Sequence, residues 1–287
     1  MKVGIDIGGT LTRIGLIHQN KIVAIHVFDT DANDFNKTFA TLKQKIIEWS
    51  EKNKISLIAI GLPCPVTKNM EVIPKTNNLQ GWEGVNLVAA FKAVFAIKVV
   101  VNNDANFAAL GQAIVKNKQD LVFLTISTGI GCGIIINQKI YQGFTGTAGE
   151  VANSMMTTIG EEFDSNRNGI EFLASGANIV KNLNMLGLHV STAKEAFEKL
   201  TEAKPIAVKF FADLANHFVA FFSTLIYILN PQVIVIGGSV AMNNQQYFQK
   251  IFTRVINVTK DINYQTGFEF AQEMTENTLI GAVNFED

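Results

Sequence analysis

The chain has 287 residues, 48% of them apolar, enough to bury a sizeable core in one large domain or two medium ones. Twenty-four Lys and Arg face 25 Asp and Glu for a net charge of −1, so no basic field exists to draw in nucleic acid or an anionic membrane. Two cysteines, Cys64 and Cys132, exclude a disulfide framework and a cysteine-rich zinc centre.

In chain order, residues 3–7 (VGIDI), 12–18 (TRIGLIH) and 22–28 (IVAIHVF) read as three consecutive strands joined by short turns. Phe35, Phe39, Leu42, Ile46 and Trp49 recur at helical spacing in 35–53. A buried strand follows at 57–63 (LIAIGLP), closed by prolines, then a helix at 85–95 and a strand at 98–103 (KVVVNN). Asn103 or Asp104 is a good N-terminal group for a helix over 104–115.

The pattern then starts again. Residues 120–141 read as strand, glycine turn, strand, short turn and strand. One constant offset lays Thr10 on Thr128, Gly15 on Gly133 and Lys21-Ile22 on Lys139-Ile140. This echo predicts an internal duplication, two halves that each open on a glycine-rich hairpin. Helices are expected at about 170–186, 192–201 and 205–229. A buried strand runs into Gly237-Gly238, a helix covers 245–258, and a last helix holds 278–285. The most apolar stretch, 218–229 (FVAFFSTLIYIL), is too short to span a bilayer and reads as a buried helix. A strand pattern from residue 2 or 3, with an aspartate at 6, is not that of a secretory leader. The expectation is a soluble, cytoplasmic protein.

Glycines after a strand often hold phosphate, but a P-loop or dinucleotide fingerprint needs a helix next. Here strands follow both Gly8-Gly9-Thr10 and Thr128-Gly129-Ile130-Gly131. Each loop is therefore expected as a hairpin whose backbone N–H groups and threonine hydroxyl face a phosphate directly. Glycine suits this because it lacks Cβ and accepts positive φ. A single Gly-Gly is an ordinary tight turn. Two similar loops, with Gly237-Gly238 as a third, favour a polyphosphate clamp. Asp6 is costly to bury unpaired, and a magnesium ion beside the phosphates, or a capping role in the turn, would explain it.

Taken in order, DIGGTLTRIG (6–15), LPCPV (62–66), NLQGW (78–82), NNDANFAALG (102–111), LTISTGIGCGIIINQKI (124–140), TAGEVAN (147–153) and VIVIGGSV (233–240) resemble the motifs of the ROK sugar kinases, within the actin-like ATPase superfamily. The resemblance covers nearly the whole chain. It implies an α/β protein, a two-lobed, duplicated actin-like (ribonuclease H-like) fold with a cleft between lobes. The lobes would be 1–103, with a C-terminal helix at about 273–287 packing back, and 104–272. ATP and Mg2+ are the implied cofactors, a small-molecule sugar the substrate, and a homodimer the assembly. Asp104 would be the general base. Asn78, Gly81, Asn103, Asp104 itself, Glu150, Asn153 and Glu171 would bind sugar. Asp6, Gly8, Gly9, Thr10, Thr12, Thr128, Gly129, Gly131, Gly237 and Gly238 would bind nucleotide, Asp6 holding magnesium indirectly.

Each residue also has a plainer reading: Asp104 as a helix cap, Glu150 as a loop glutamate, Glu171 as a first-turn glutamate facing the helix dipole. Two departures stand out. Leu11 replaces a frequent lysine of the first loop, and Asn153 stands where many relatives have a histidine followed by zinc-binding cysteines. With no cysteine after Asn153 to complete about four N/S ligands, a zinc-less member is expected. His18, His26, His189 and His217 show no ligand spacing. The implied activity is an ATP-dependent hexose kinase of glucokinase type acting at O6. N-acetylmannosamine, fructose and β-glucosides are alternative substrates. A sugar-responsive repressor, a class that carries a helix-turn-helix ahead of the first strand, and a non-catalytic sugar sensor are the alternatives of another class.

Overall fold

The first three strands pair as neighbours because short turns join them. β1 (Lys2–Ile7) runs antiparallel to β2 (Leu11–His18), and β2 to β3 (Lys21–Asp29), with a bulge at Leu16/Ile17. In the computed structural model residues 1–156, 168–260 and 264–286 are described. Helix α1 (Phe35–Ser50) starts at Asp34, whose carboxylate accepts the Asn36 N–H at 2.9 Å. Its buried stripe is Phe35, Thr38, Leu42, Ile46 and Trp49. β4 (Leu57–Leu62) is buried at every position, as a central parallel strand must be. Then come α2 (Leu87–Lys92), β5 (Lys98–Asn103) and α3 (Asp104–Val115).

β6 (Leu121–Ile126), β7 (Ile130–Ile136) and β8 (Lys139–Ile140) repeat the opening. Helices α4 (Ile170–Ala174), α5 (Gly176–Met185), α6 (Ala193–Thr201) and α7 (Pro205–Leu229) lead to β9 (Val233–Gly237). Then follow α8 (Ser239–Asn243), α9 (Gln245–Thr259), β10 (Gly267–Phe270) and α10 (Met274–Val283).

The two sheets have the strand orders β3-β2-β1-β4-β5 and β8-β7-β6-β9-β10. In each, the opening strand is followed by two strands parallel to it, β1 by β4 and β5, β6 by β9 and β10. The offset seen in the sequence is thus a repeat of sheet topology. The chain divides into two compact units: Met1–Gln119 with Gly133–Gly149 and Gln272–Asp287, and Asp120–Cys132 with Glu150–Ala271.

The core of the first unit joins Ile5, Ile7 and Ile14 of the hairpin to Leu42, Ile46, Ile60, Trp82 and Phe91. Helix α10 lies against α3 and β1. Gly4, with no side chain, admits the Leu279 carbonyl, and the Gln112 amide donates to the Gln272 carbonyl at 2.9 Å. The second unit is held by aromatic rings: Phe218 stacks on Phe222 at 5.6 Å, and Phe252 on Phe268 at 4.5 Å. By length and composition α7 could cross a membrane. Its Phe211, Phe218, Phe221 and Phe222 are instead buried in this core, while Phe210 stays half-buried beside Phe211. Pro205 starts the helix and Asn230, at φ 43°, ends it.

Three elements differ from expectation. The helix at 170–186 is two helices, because Ser175 takes an extended backbone (ψ 152°) and its hydroxyl caps the second by accepting the Asn178 N–H. A short helix, α8, follows Gly238 directly. β10 carries only four residues, two of them glycine and glutamate, too short for a periodic signal.

α3 and α10 approach closely at two glycines. A Cβ on Gly111 would collide with the Asn277 carbonyl, and one on Gly281 with the Phe107 carbonyl. Both obstacles are backbone, so neither can turn aside. Gly111→Ala is expected to lose about 2–3 kcal/mol, the upper range for overpacking. Urea unfolding checks this: the midpoint should fall with the slope unchanged, and an unchanged midpoint would refute the close approach.

Candidate active site

In the first unit, β1, β4 and β5 are parallel and in register through Asp6, Gly61 and Asn102, so their carboxyl ends share one edge of the sheet. Ligand-binding loops of parallel sheets gather at that edge. The first hairpin closes there, the Gly8 N–H donating to the Leu11 carbonyl at 2.9 Å. Gly9 leaves space for the Asn78 carbonyl, which a Cβ would meet at 3.1 Å. Asn78 in turn donates from its amide to the Pro63 carbonyl at 2.9 Å. The next residue, Cys64, offers its carbonyl to the Asn103 amide at 3.1 Å. The NLQGW loop, the LPCP loop and the start of α3 are therefore linked by hydrogen bonds, and the hairpin packs against the first of them.

Asn103, not Asp104, is the N-cap of α3. Its Oδ1 accepts the N–H groups of Ala105 (2.9 Å) and Asn106 (3.4 Å). Asp104 is the first helical residue, its Oδ1 accepting the Ala105 N–H at 2.7 Å. Asn102, missed in the sequence, supports this turn: its Oδ1 accepts the Asn103 N–H (2.7 Å) and the Asn106 amide (2.9 Å). Gly81 sits where packing demands it, a Cβ there colliding with the Asn33 backbone, and its N–H is used by the Ala32 carbonyl at 2.8 Å. Thr10 is exposed at the turn, but Thr12 is turned inward, fully buried, its hydroxyl 2.7 Å from that of Thr30.

The second unit repeats the plan. β6, β9 and β10 are parallel, with Thr125 level with Gly237 and Ile236 with Phe270. The second hairpin turns at that edge, the Ser127 N–H donating to the Gly129 carbonyl at 2.9 Å, with Thr128 exposed and Gly131 the second residue of β7. Gly237 is the buried last residue of β9. Gly238 takes φ 86° and leaves no room for a Cβ against the Ile126 backbone. Of the nucleotide-loop glycines this is one whose positive φ matters. Gly8, Gly9 and Gly129 have ordinary φ and are there for close approach, a correction to the reading from sequence.

Glu150 and Glu171 lie apart in sequence, yet the segments beside them, 154–156 and 168–170, pair with each other. The Ile170 N–H donates to the Ser154 carbonyl (3.0 Å), and the Met156 N–H to the Asn168 carbonyl (2.9 Å). Glu171 Oε2 accepts the Ile130 N–H of the second hairpin at 2.8 Å. Asn153, in the short turn Val151–Asn153, is exposed.

The carboxylates differ in their surroundings. Burial pushes the Asp6 carboxyl above its ordinary range, and Arg13 at 3.4 Å partly offsets this. Arg13 was missed in the sequence, although a tight turn at 8–10 puts residues 6 and 13 opposite each other. Partial burial, and then the charge of Glu171, raise Glu150. Burial, with Glu150 nearby, pushes the Cys132 thiol to about 12, so it stays protonated and unreactive. Among the described residues no group of three or more His, Cys, Asp or Glu gathers to hold a metal ion. A magnesium ion needs only one or two carboxylates beside substrate phosphates, and Asp6, buried with one long ion pair, fits that need.

Because the folded protein holds the Asp6 proton more tightly than the unfolded chain, stability falls as pH rises from 3.8 through the raised folded value. Asp6→Asn removes this loss, so its stability relative to wild type should grow with pH across that window. Arg13→Gln should move the upper end of the window to higher pH. Denaturation midpoints from pH 4 to 8 test both, and a pH-independent difference would contradict the assignment.

The sequence model of the ROK family matches residues 2–285. The chain is 28% identical over 265 residues to a glucokinase of Halalkalibacterium halodurans, covering 83% of this chain and 80% of that protein. It is 26% identical over 273 residues to a putative xylose repressor of a Caldicellulosiruptor species, covering 87% and 68%. A ROK hexokinase from Thermus thermophilus superposes with a TM-score of 0.87 at 22% identity, over 98% of this chain and 96% of that one. A ROK family glucokinase from Streptomyces griseus, solved with glucose and AMPPNP, gives 0.74 at 22% identity over 99% and 98%. These likenesses establish the fold, and the family match takes in the first strand and the last helix alike: the chain belongs to the ROK family.

Proposed function

We propose that the protein is an ATP-dependent hexose kinase that transfers the γ-phosphate to a sugar hydroxyl, O6 of glucose being the first candidate. The observation that carries this reading is the start of α3. Asn103 is the N-cap, and Asp104, whose Oδ1 also accepts the Ala105 N–H, starts the helix at the carboxyl edge of three parallel strands. A carboxylate so placed can take the proton of an attacking hydroxyl. The glucokinase relative and the solved glucokinase with glucose and AMPPNP support the substrate pair.

In this reading the Thr10 and Thr128 hairpins, with Gly237 and Gly238, attend the nucleotide. Asn78, Asn103, Glu150, Asn153 and Glu171 attend the sugar. Carboxylates and carboxamides suit vicinal hydroxyls because they accept, or accept and donate, in the plane of the group. Asp6 is the residue that would hold the accompanying magnesium ion through water, an ion whose chemistry is to draw charge off the transferring phosphoryl oxygens. N-acetylmannosamine, fructose and β-glucosides remain open as substrates because Asn153 replaces the family's histidine. No zinc is needed in this reading. A cytoplasmic homodimer is the assembly proposed.

A sugar-sensing regulator is the second reading, supported by the similarity to a putative xylose repressor. ADP release with Mg-ATP, across hexoses, N-acetylhexosamines and β-glucosides, separates the two. The kinase reading expects turnover with one sugar. Asp104→Asn should lower kcat about 10²–10⁴-fold with little change in sugar KM. No turnover with any sugar would favour the regulator, and full turnover by Asp104→Asn would remove the assigned base.

A further inference from the structure

Glu171 sits between two groups with different tasks. On one side its Oε2 accepts the Ile130 N–H at 2.8 Å, at the point where the second hairpin becomes strand β7. The same oxygen stands 2.9 Å from where a Cβ of Gly129 would lie. On the other side its charge reaches Glu150, adding to partial burial in raising that carboxyl. The backbone of Glu171 is itself anchored: its carbonyl accepts the Asn178 amide at 3.1 Å and the Ser175 N–H at 3.0 Å. The Gly176 N–H then donates to the Ser127 carbonyl at 2.7 Å, a second tie from the same turn to the same hairpin.

Resting on the kinase reading for the sugar end, we propose that Glu171 is a positioning residue that latches the second glycine hairpin, so that the hold of this hairpin on nucleotide phosphates depends on a residue from the sugar side. A backbone N–H bonded to a carboxylate is a strong, directional tie. It fixes the plane of the Gly129–Ile130 peptide and, with it, the direction of the neighbouring N–H groups of the turn. A sugar hydroxyl that engages Glu171 or Glu150 therefore acts on the orientation of the phosphate hairpin. Coupling of this kind is reciprocal in binding free energy, so nucleotide also alters sugar affinity.

The contact can be broken from either side. Glu171→Ala removes the acceptor. Glu171→Gln keeps a carbonyl oxygen for the Ile130 N–H and should rescue it. Gly129→Ala leaves Glu171 in place but puts a methyl against Oε2, and since Gly129 has an ordinary φ the backbone does not oppose the change. The probe is MgADP, titrated calorimetrically into each full-length variant without sugar, with thermal midpoints confirming a folded protein.

Glu171→Ala is expected to bind MgADP about tenfold more weakly, and Glu171→Gln within about threefold of wild type, as one charge-assisted hydrogen bond is lost or kept in weaker form. Gly129→Ala should weaken binding in the wild-type background and cost less when combined with Glu171→Ala, because the clash has gone. Wild-type affinity in folded Glu171→Ala, or an equal cost of Gly129→Ala in both backgrounds, overturns the latch. Wild-type protein that binds MgADP but phosphorylates no sugar overturns the kinase reading alone, and the latch is then decided by the same cycle. Wild-type protein that binds no MgADP overturns both.

Discussion

The carboxyl edges of two parallel three-strand sets are the constraint on which the rest of the structure depends. Register places Asp6, Gly61 and Asn102 side by side, and each strand ends one residue later. Everything chemically distinctive in the first unit hangs from those ends: the Gly8-Gly9 turn, the Pro63 and Cys64 carbonyls, and the start of α3. The edge works because two glycines keep it open. Gly61 lies against the Phe107 ring, 3.2 Å from where a Cβ would lie, and Gly9 against the Asn78 carbonyl at 3.1 Å. A Cβ at either position would require its neighbour to give by a few tenths of an ångström.

The two units handle buried charge differently. In the first, the Asp6 carboxylate is partly buried but faces a cation directly across the hairpin, so the attraction to Arg13 offsets part of the cost of burial. In the second, Glu150 is raised first by partial burial and then by the charge of Glu171. A like charge nearby favours the protonated form of a carboxyl. In the proposed kinase reading the hairpin N–H groups would serve the anion and the two glutamates the neutral hydroxyls.

Much of this was legible in the chain. The strands at 98–103 and the helices at 104–115 and 205–229 have the bounds read from sequence, because Asn103, Pro205 and the apolar spacing mark them. The duplication was legible as one offset between two hairpins, and the sheet orders repeat it. What escaped lies in contacts between residues far apart in sequence. Arg13 needed a strand register, Asn102 needed the local turn, and the tie from Glu171 to Ile130 spans 41 positions. Thr12 shows the opposite error. A threonine beside a glycine turn suggests a phosphate ligand, but alternation along β2 turns its side chain into the core.

The repeat also shows how one topology acquires two roles. At corresponding places the hairpins close against different partners. The first packs on a backbone carbonyl, Asn78, and the second on a carboxylate, Glu171. A carbonyl carries no net charge and is fixed by its own loop. A carboxylate on a side chain carries charge and can exchange one donor for another. The first hairpin is tied through backbone, the Thr10 carbonyl accepting the Thr30 N–H at 2.8 Å, whereas the second is tied to a charged side chain through the Ile130 N–H. Duplication supplied two similar glycine turns, and in the latch proposed above the residue placed behind each turn decides whether it is a fixed wall or one that responds to its neighbour.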